Sequence, residues 1–344
     1  MDRRRILAII LLVIAIFIIV SVPIWLLTPV GANVLGLGQP DLNGPPLTPL
    51  TFKVMPKPVP QAALTATGKP GDLDASEAIL MDDLTGNVLY EKNAETPVPM
   101  ASTTKIMTAL IAMQVGNLNQ MITVGQDAVD EDLIGSKAGL VAGSQLSLKD
   151  LLYALMLPSG DDAAVAIADG VAGSTQNFVT IMNTEAWRLG LFQTHFFDPT
   201  GLDTDLNLNP IPANQHFTTA YDLVRLARYA MAIPLFAQIV SLPSYSLPTS
   251  ATHGSFLWKN TNTMLTSYQG TLGIKTGWTG AAGGCLVFAA KRNGHTLIGV
   301  VLHSVGPNSA QSPDEQTLDE VTRTTDAETL LNWGFKLPMQ VPQV

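Results

Sequence analysis

The sequence predicts an α+β domain: an antiparallel sheet drawn from both ends of the folded chain, flanked by helices, with a helical subdomain inserted between its strands. Three observations carry this. Residues 77–82 and 88–91 are strand-patterned and flank Leu84-Thr85-Gly86-Asn87, which reads as a β-hairpin. The long middle of the chain spaces its apolar side chains at helical intervals. Three further strand-like runs, 271–276, 285–291 and 296–303, then precede an amphipathic helix over 318–333.

Ahead of the hairpin, Arg3, Arg4 and Arg5 introduce an almost unbroken apolar run over 6–27. About 20 apolar residues span a bilayer, whereas the apolar core of a signal peptide holds about 7–15. The expectation is a transmembrane signal anchor at 6–27, with residues 1–5 a cytoplasmic tail and everything after 27 extracytoplasmic. This makes the protein single-pass in the cell membrane. The alternative is secretion after cleavage of a long signal peptide, although Val30-Gly31-Ala32-Asn33 is a weak cleavage site. Residues 28–73 are rich in proline and glycine and read as an extended tether. The folded domain is expected over 74–336, with 337–344 a tail.

Within that domain, helices are predicted over 102–115, 148–157, 162–171, 175–189 and 218–231, the last with Thr218 as N-cap and Asp222 in its first turn. Asn293-Gly294 is a hairpin signal between the last two strands. The charge balance of -9 argues against nucleic acid, which needs clustered Lys and Arg. One cysteine, Cys285, excludes an intramolecular disulfide, and its apolar surroundings suggest a buried structural residue. The histidines at 195, 216, 253, 295 and 303 have no metal-binding spacing, so no metal and no cofactor is expected. Asp127, Asp130, Glu131 and Asp132 read as a solvated turn, and the acidic stretch 314–328 as an exposed helix face.

Three short segments carry chemistry. Ser102 and Lys105 stand one helical turn apart, so the lysine amine can serve as base for the serine hydroxyl. Alone, S-x-x-K arises by chance about once in a chain this long. Ser159-Gly160-Asp161 lies between two predicted helices and by itself reads more readily as a helix cap. Lys275-Thr276-Gly277 ends a strand, where an ammonium and a hydroxyl can hold a carboxylate.

In this order the three match the motif set of penicillin-binding proteins and class A β-lactamases. The sequence resembles the D-alanyl-D-alanine carboxypeptidases, the low-molecular-mass penicillin-binding proteins. Supporting blocks are PMASTTKIMTAL, LLYALMLPSGDDAA, FFDPTGL, HFTTAYDLVRLARYA, FLWKNTNTML and GIKTGWTGAAGGC. The resemblance implies a β-lactamase/DD-peptidase-like fold and an acyl-enzyme on Ser102, with Lys105 accepting the serine proton and Ser159 passing one to the leaving D-alanine. Lys275 and Thr276 would bind the substrate carboxylate. The backbone N–H groups of Ser102 and Trp278 would form the oxyanion hole, with Asp161 and Gly277 also on the substrate side. The implied partners are peptidoglycan stem peptides, with β-lactams as inhibitors.

One residue departs from the family pattern. The middle motif usually reads S-x-N, and Asp161 replaces the asparagine, losing its NH₂ donor when ionised. Three other readings therefore stay open beside the carboxypeptidase: a weak or inactive membrane-tethered sensor, a DD-endopeptidase, and a β-lactamase. The last needs an added glutamate, and between Asp161 and Lys275 only Glu185 is present.

Overall fold

The computed structural model describes residues 63–340 apart from 131–134, 206–207, 307–311 and 313. The expected anchor at 6–27, most of the expected tether, and Glu131 and Asp132 lie outside the described residues.

The chain begins with β1 (Ala63–Leu64), then β2 (Glu77–Asp82) and β3 (Val88–Lys92). A 3₁₀ turn over Ala101–Thr104 leads into α1 (Lys105–Val115), so the α-helix starts three residues later than Ser102. A small hairpin of β4 (Met121–Thr123) and β5 (Gln145–Ser147) brackets α2 (Gln126–Asp130). Helices α3 (Leu148–Met156), α4 (Asp161–Ala172), α5 (Thr175–Arg188), α6 (Ala220–Met231) and α7 (Pro234–Val240) follow. A second hairpin, β6 (Ser244–Leu247) with β7 (Phe256–Lys259), and a single turn α8 (Met264–Ser267) lead to the long strands. These are β8 (Thr271–Thr279), β9 (Gly283–Arg292) and β10 (His295–Ser304), closed by α9 (Glu315–Gly334) and β11 (Met339–Gln340).

The main sheet is antiparallel with strand order β3-β2-β10-β9-β8. The N-terminal hairpin therefore joins the three late strands through the β2–β10 pair, as expected. Strand periodicity divides β2 between two cores. Ile79 and Met81 join the helical side with Ala227 and Leu223, while Ala78 and Leu80 join Leu330 and Leu331 of α9. The same alternation sends Cys285, Val287 and Ala289 one way, and Leu286, Phe288 and Ala290 the other. Burial pushes the Cys285 thiol up to about 12, so it is a small apolar side chain here and no nucleophile. Asn293 and Gly294 both take positive φ, 50° and 83°, the two-residue turn that matches the twist of β9 and β10.

Three local expectations need correction. The N-cap of α6 is Thr219, whose hydroxyl accepts from the Asp222 N–H, and not Thr218, which bridges to Val98 by backbone hydrogen bonds. Asp127 and Asp130 lie on the short helix α2 and not in a turn. The acidic stretch before Glu328 is not a uniformly exposed face: Asp319 and Asp326 are buried because each takes N–H donors from neighbouring segments. Asp326 accepts from Asp74 N, Ala75 N and Ser304 Oγ at 2.8–2.9 Å and so clamps the start of the domain onto α9. Ala63 and Leu64 pair antiparallel with Gln340 and Met339, inside stretches whose composition suggests tether and tail. Among the described residues, no single helix is long and apolar enough to cross a membrane.

Replacing Asp326 by Ala leaves two backbone N–H groups and a hydroxyl without their buried acceptor. We expect a loss of about 3 kcal/mol, read as a lower urea midpoint at unchanged slope.

Candidate active site

The 3₁₀ turn exists because Ala101 adopts φ of 47°, a left-handed conformation that an alanine takes only under constraint. The constraint comes from both sides. Thr103 and Thr104 hydroxyls donate to the Met100 and Ala101 carbonyls at 2.6 and 2.9 Å. Gly201, at φ 93°, lies so close that a Cβ there would sit 2.0 Å from the Ala101 oxygen. Gly277 on β8 is confined too, less severely, for its Cβ would meet Ser102 N at 3.1 Å. Two glycines thus let the Gly201 loop and the edge strand close on the turn that presents Ser102.

Lys105, on the first turn of α1, has 0% side-chain exposure. Its Nζ lies 2.7 Å from Ser102 Oγ, 2.9 Å from the Thr200 carbonyl oxygen and 2.5 Å from Asp161 Oδ1. The other Asp161 oxygen accepts the Ser136 N–H at 2.7 Å. Both oxygens of Asp161 are therefore engaged with protein groups. Burial raises the Asp161 carboxyl above its ordinary range, against the opposing pull of Lys105 and of the Ser136 N–H.

A second lysine–serine pair faces the first. Ser159 takes φ of 68°, and Lys275 Nζ reaches its Oγ at 2.9 Å and the Thr276 carbonyl oxygen at 2.9 Å. Burial, then the nearby charges of Lys105 and Arg323, hold the Lys275 ammonium well below the ordinary lysine range. Left-handed backbone at Ala101 and Ser159 costs about 1–3 kcal/mol each, so packing holds both conformations in place. Thr276 Oγ1 bonds Thr261 Oγ1 at 2.6 Å. Trp278 Nε1 donates to Asp319 Oδ2 at 3.1 Å, and buried Arg323 donates to the Gly277 carbonyl at 2.7 Å. Helix α9 thereby braces β8 from behind, while the far edge of that strand is unpaired in the sheet order. An open cleft of about 830 Å³ borders Ser102, Asp161 and Trp278, with Asp203 across it.

The predicted site residues Ser102, Lys105, Ser159, Asp161, Lys275, Thr276, Gly277 and Trp278 thus converge from the 3₁₀ turn, the start of α1, the α3–α4 loop, the start of α4 and β8. Sequence reasoning missed Thr200, Ser136, Thr261, Asp198 and His216. Thr200 and His216 lie within or beside quoted blocks, but a carbonyl contact leaves no trace in residue type. His216 Nε2 is 2.8 Å from Thr104 Oγ1, and Asp198 Oδ1 accepts from Thr200 N, Thr200 Oγ1 and Gly201 N at 2.6–2.7 Å. This network fixes the carbonyl that holds Lys105. Glu185 is bound twice by Arg188 at 2.6 Å on α5 and has no place beside Ser102.

A serine hydroxyl against a buried amine, opposite a second amine–hydroxyl pair at an open strand edge, is the apparatus of a serine acyl-transfer enzyme. The family described as D-alanyl-D-alanine carboxypeptidase, peptidase S11, matches residues 63–306. A D-alanyl-D-alanine carboxypeptidase of Streptomyces sp. (strain K15) is 37% identical over 288 residues, 79% of this chain and 91% of that protein. A D-alanyl-D-alanine endopeptidase of Pseudomonas aeruginosa is 30% identical over 255 residues, 74% of this chain and 78% of that one. The crystal structure of the Streptomyces K15 DD-transpeptidase superposes with a TM-score of 0.68 at 36% identity, covering 78% of this chain and 100% of that one. This chain belongs to the D-alanyl-D-alanine carboxypeptidase family and is a serine peptidase.

Burial opposes ionisation of Asp198, but His216, the Gly201 N–H and the Thr200 hydroxyl outweigh it and hold the carboxyl at about 2, below its ordinary 3.8. A lowered carboxyl stabilises the fold fully above its unfolded value and loses that contribution as pH falls through the folded one. Between pH 5 and pH 2 the parent should therefore lose about 2 kcal/mol more stability than Asp198→Asn, measured by urea unfolding across that range.

Proposed function

We propose that this chain is a D-Ala-D-Ala carboxypeptidase that removes the terminal D-alanine from peptidoglycan stem peptides. The observation that carries the reading is the pair of amine–hydroxyl contacts, Lys105 Nζ to Ser102 Oγ at 2.7 Å and Lys275 Nζ to Ser159 Oγ at 2.9 Å, on either side of one substrate position.

In this reading the peptide lies as an added strand along the open edge of β8, with its terminal carboxylate at Lys275 and Thr276. Ser102 Oγ adds to the carbonyl carbon of the penultimate D-alanine as its proton passes to Lys105. The N–H groups of Ser102 and Trp278 receive the developing oxyanion, a contribution of about 3–4 kcal/mol per donor in other enzymes. The C–N bond then breaks, Ser159 relays a proton to the leaving amine, and water hydrolyses the ester. A β-lactam acylates the same oxygen. Asp161, with both oxygens engaged by Lys105 and Ser136, serves the lysine before it serves the substrate.

Relatives named endopeptidase support a second reading, cleavage of crosslinks with the same groups. Monomeric and crosslinked muropeptides offered in parallel separate the two. Free D-alanine from the monomer alone identifies the carboxypeptidase, and exclusive cleavage of the crosslink overturns it. Mass spectrometry after benzylpenicillin should place the adduct on the peptide carrying Ser102, and Ser102→Ala should abolish both adduct and D-alanine release. An adduct on any other serine removes the assignment.

The membrane attachment rests on the apolar run at 6–27 alone. In this reading the mature protein keeps that run. N-terminal sequencing of membrane-extracted protein should begin ahead of residue 6; a start beyond residue 27 means secretion instead.

A further inference from the structure

Lys105 has a difficulty in acting as a base. Nζ donates to Ser102 Oγ and the Thr200 carbonyl, and Asp161 Oδ1 stands against it as its ion-pair partner at 2.5 Å. In this ion pair Nζ donates to the hydroxyl it has to deprotonate. A proton must leave Nζ first. Of its three partners the Thr200 carbonyl is no base, and Ser102 is the nucleophile. Asp161 is the remaining acceptor, fully buried with Lys105 and in direct contact.

We propose that Asp161 takes the Nζ proton of Lys105 before Ser102 attacks, so that the lysine becomes a base by internal transfer and not by losing a proton to solvent. This deepens the proposed function and rests on Ser102 being the nucleophile. The N–H bond to Asp161 breaks and an O–H bond forms, leaving a neutral amine beside a neutral carboxylic acid. The amine then accepts the Ser102 proton, and that proton goes on to the leaving nitrogen. Asp161 finally returns its own proton to Lys105. Charge and atoms balance, and no co-reactant is needed.

Burial favours the transfer. Separating charge loses its advantage as water leaves, so a substrate covering the cleft shifts the pair from ionic to neutral. Asp161 is also a carboxyl whose burial raises it toward the protonated form. The groups facing the pair act in both directions. Lys275 on β8 is itself lowered by the Lys105 charge, Asp198 on the Thr200 loop favours a neutral Asp161, and the Ser136 N–H favours its carboxylate. Asp203 stands across the cleft, engaged with Thr279 and the Ala281 N–H. His216 lies behind Asp198, and Asp162 turns its oxygens to the Ala138 and Leu140 N–H groups. An asparagine at 161 has no site for the proton.

The test is the pH dependence of the second-order acylation rate of the full chain by a fluorescent penicillin. Internal transfer predicts a parent profile whose acid limb lies in the carboxyl range, below about pH 7. In Asp161→Asn the limb should move up by about one unit or more, so that acylation at pH 6 falls about tenfold or further. If Asp161 only stabilises the ammonium, the sign reverses: the parent limb lies in the lysine range and the variant limb moves down. That result overturns the proposal, as does a variant profile scaled at every pH with its limb unmoved. The parent profile decides by itself if the variant fails to fold. A parent that forms no Ser102 adduct at any pH removes the reading of Ser102 and this proposal with it. An adduct with the wrong limb removes the proposal alone.

Discussion

The arrangement depends on one buried cation. An ammonium without solvent is tolerated only when protein groups satisfy each N–H and an anion stands close. Lys105 draws its partners from three separate segments: acceptors in the 3₁₀ turn through Ser102 and the loop after Asp198 through Thr200, and its anion at the start of α4 through Asp161. Removing any one leaves a buried charge partly unsatisfied. The lysine is therefore a structural bolt of the helical subdomain as well as a reactive group. Two residues that present the reacting groups, Ala101 and Ser159, are held in left-handed backbone that non-glycine residues avoid.

The sheet contributes by being stiff where the site needs a wall. β8 is an edge strand, yet its back is held by β9 along its whole length and by Arg323 and Asp319 of α9. A strand braced on one edge and open on the other can offer backbone groups without being pulled out of register. The absent Cβ of Gly277 lets that wall approach Ser102. With two lysines in one small buried region, the lowered Lys275 reflects burial reinforced by the charge of Lys105.

Much of the plan was legible in residue pattern because pattern follows burial. β2, β9 and β10 are continuous apolar runs, as expected for strands covered on both faces, and Asn293-Gly294 marks its turn by the positive φ both residues accept. The chemistry of the site was legible at Ser102, Lys105, Ser159 and Lys275, where function demands particular side chains. Backbone contributions were not. The Thr200 carbonyl and the Ser136 N–H hold Lys105 and Asp161 through atoms that every residue carries. Nor did composition distinguish Asp319 and Asp326 from the exposed acids beside them, since burial there is decided by donors far away in sequence, at Gly306, Asp74 and Ala75.

The pairing of Ala63–Leu64 with Met339–Gln340 brings the two ends of the folded chain side by side. Tension drawn along the chain ahead of Ala63 would enter the domain at that two-residue ladder. A ladder so short loses its few hydrogen bonds one after another under load. Next in line stand the contact of Lys92 with the Leu73 carbonyl and the Asp326 clamp on Asp74 and Ala75. The strong five-stranded sheet comes only afterwards. Under a pull applied ahead of Ala63, these contacts would give way before strain reaches the turn that holds Ser102.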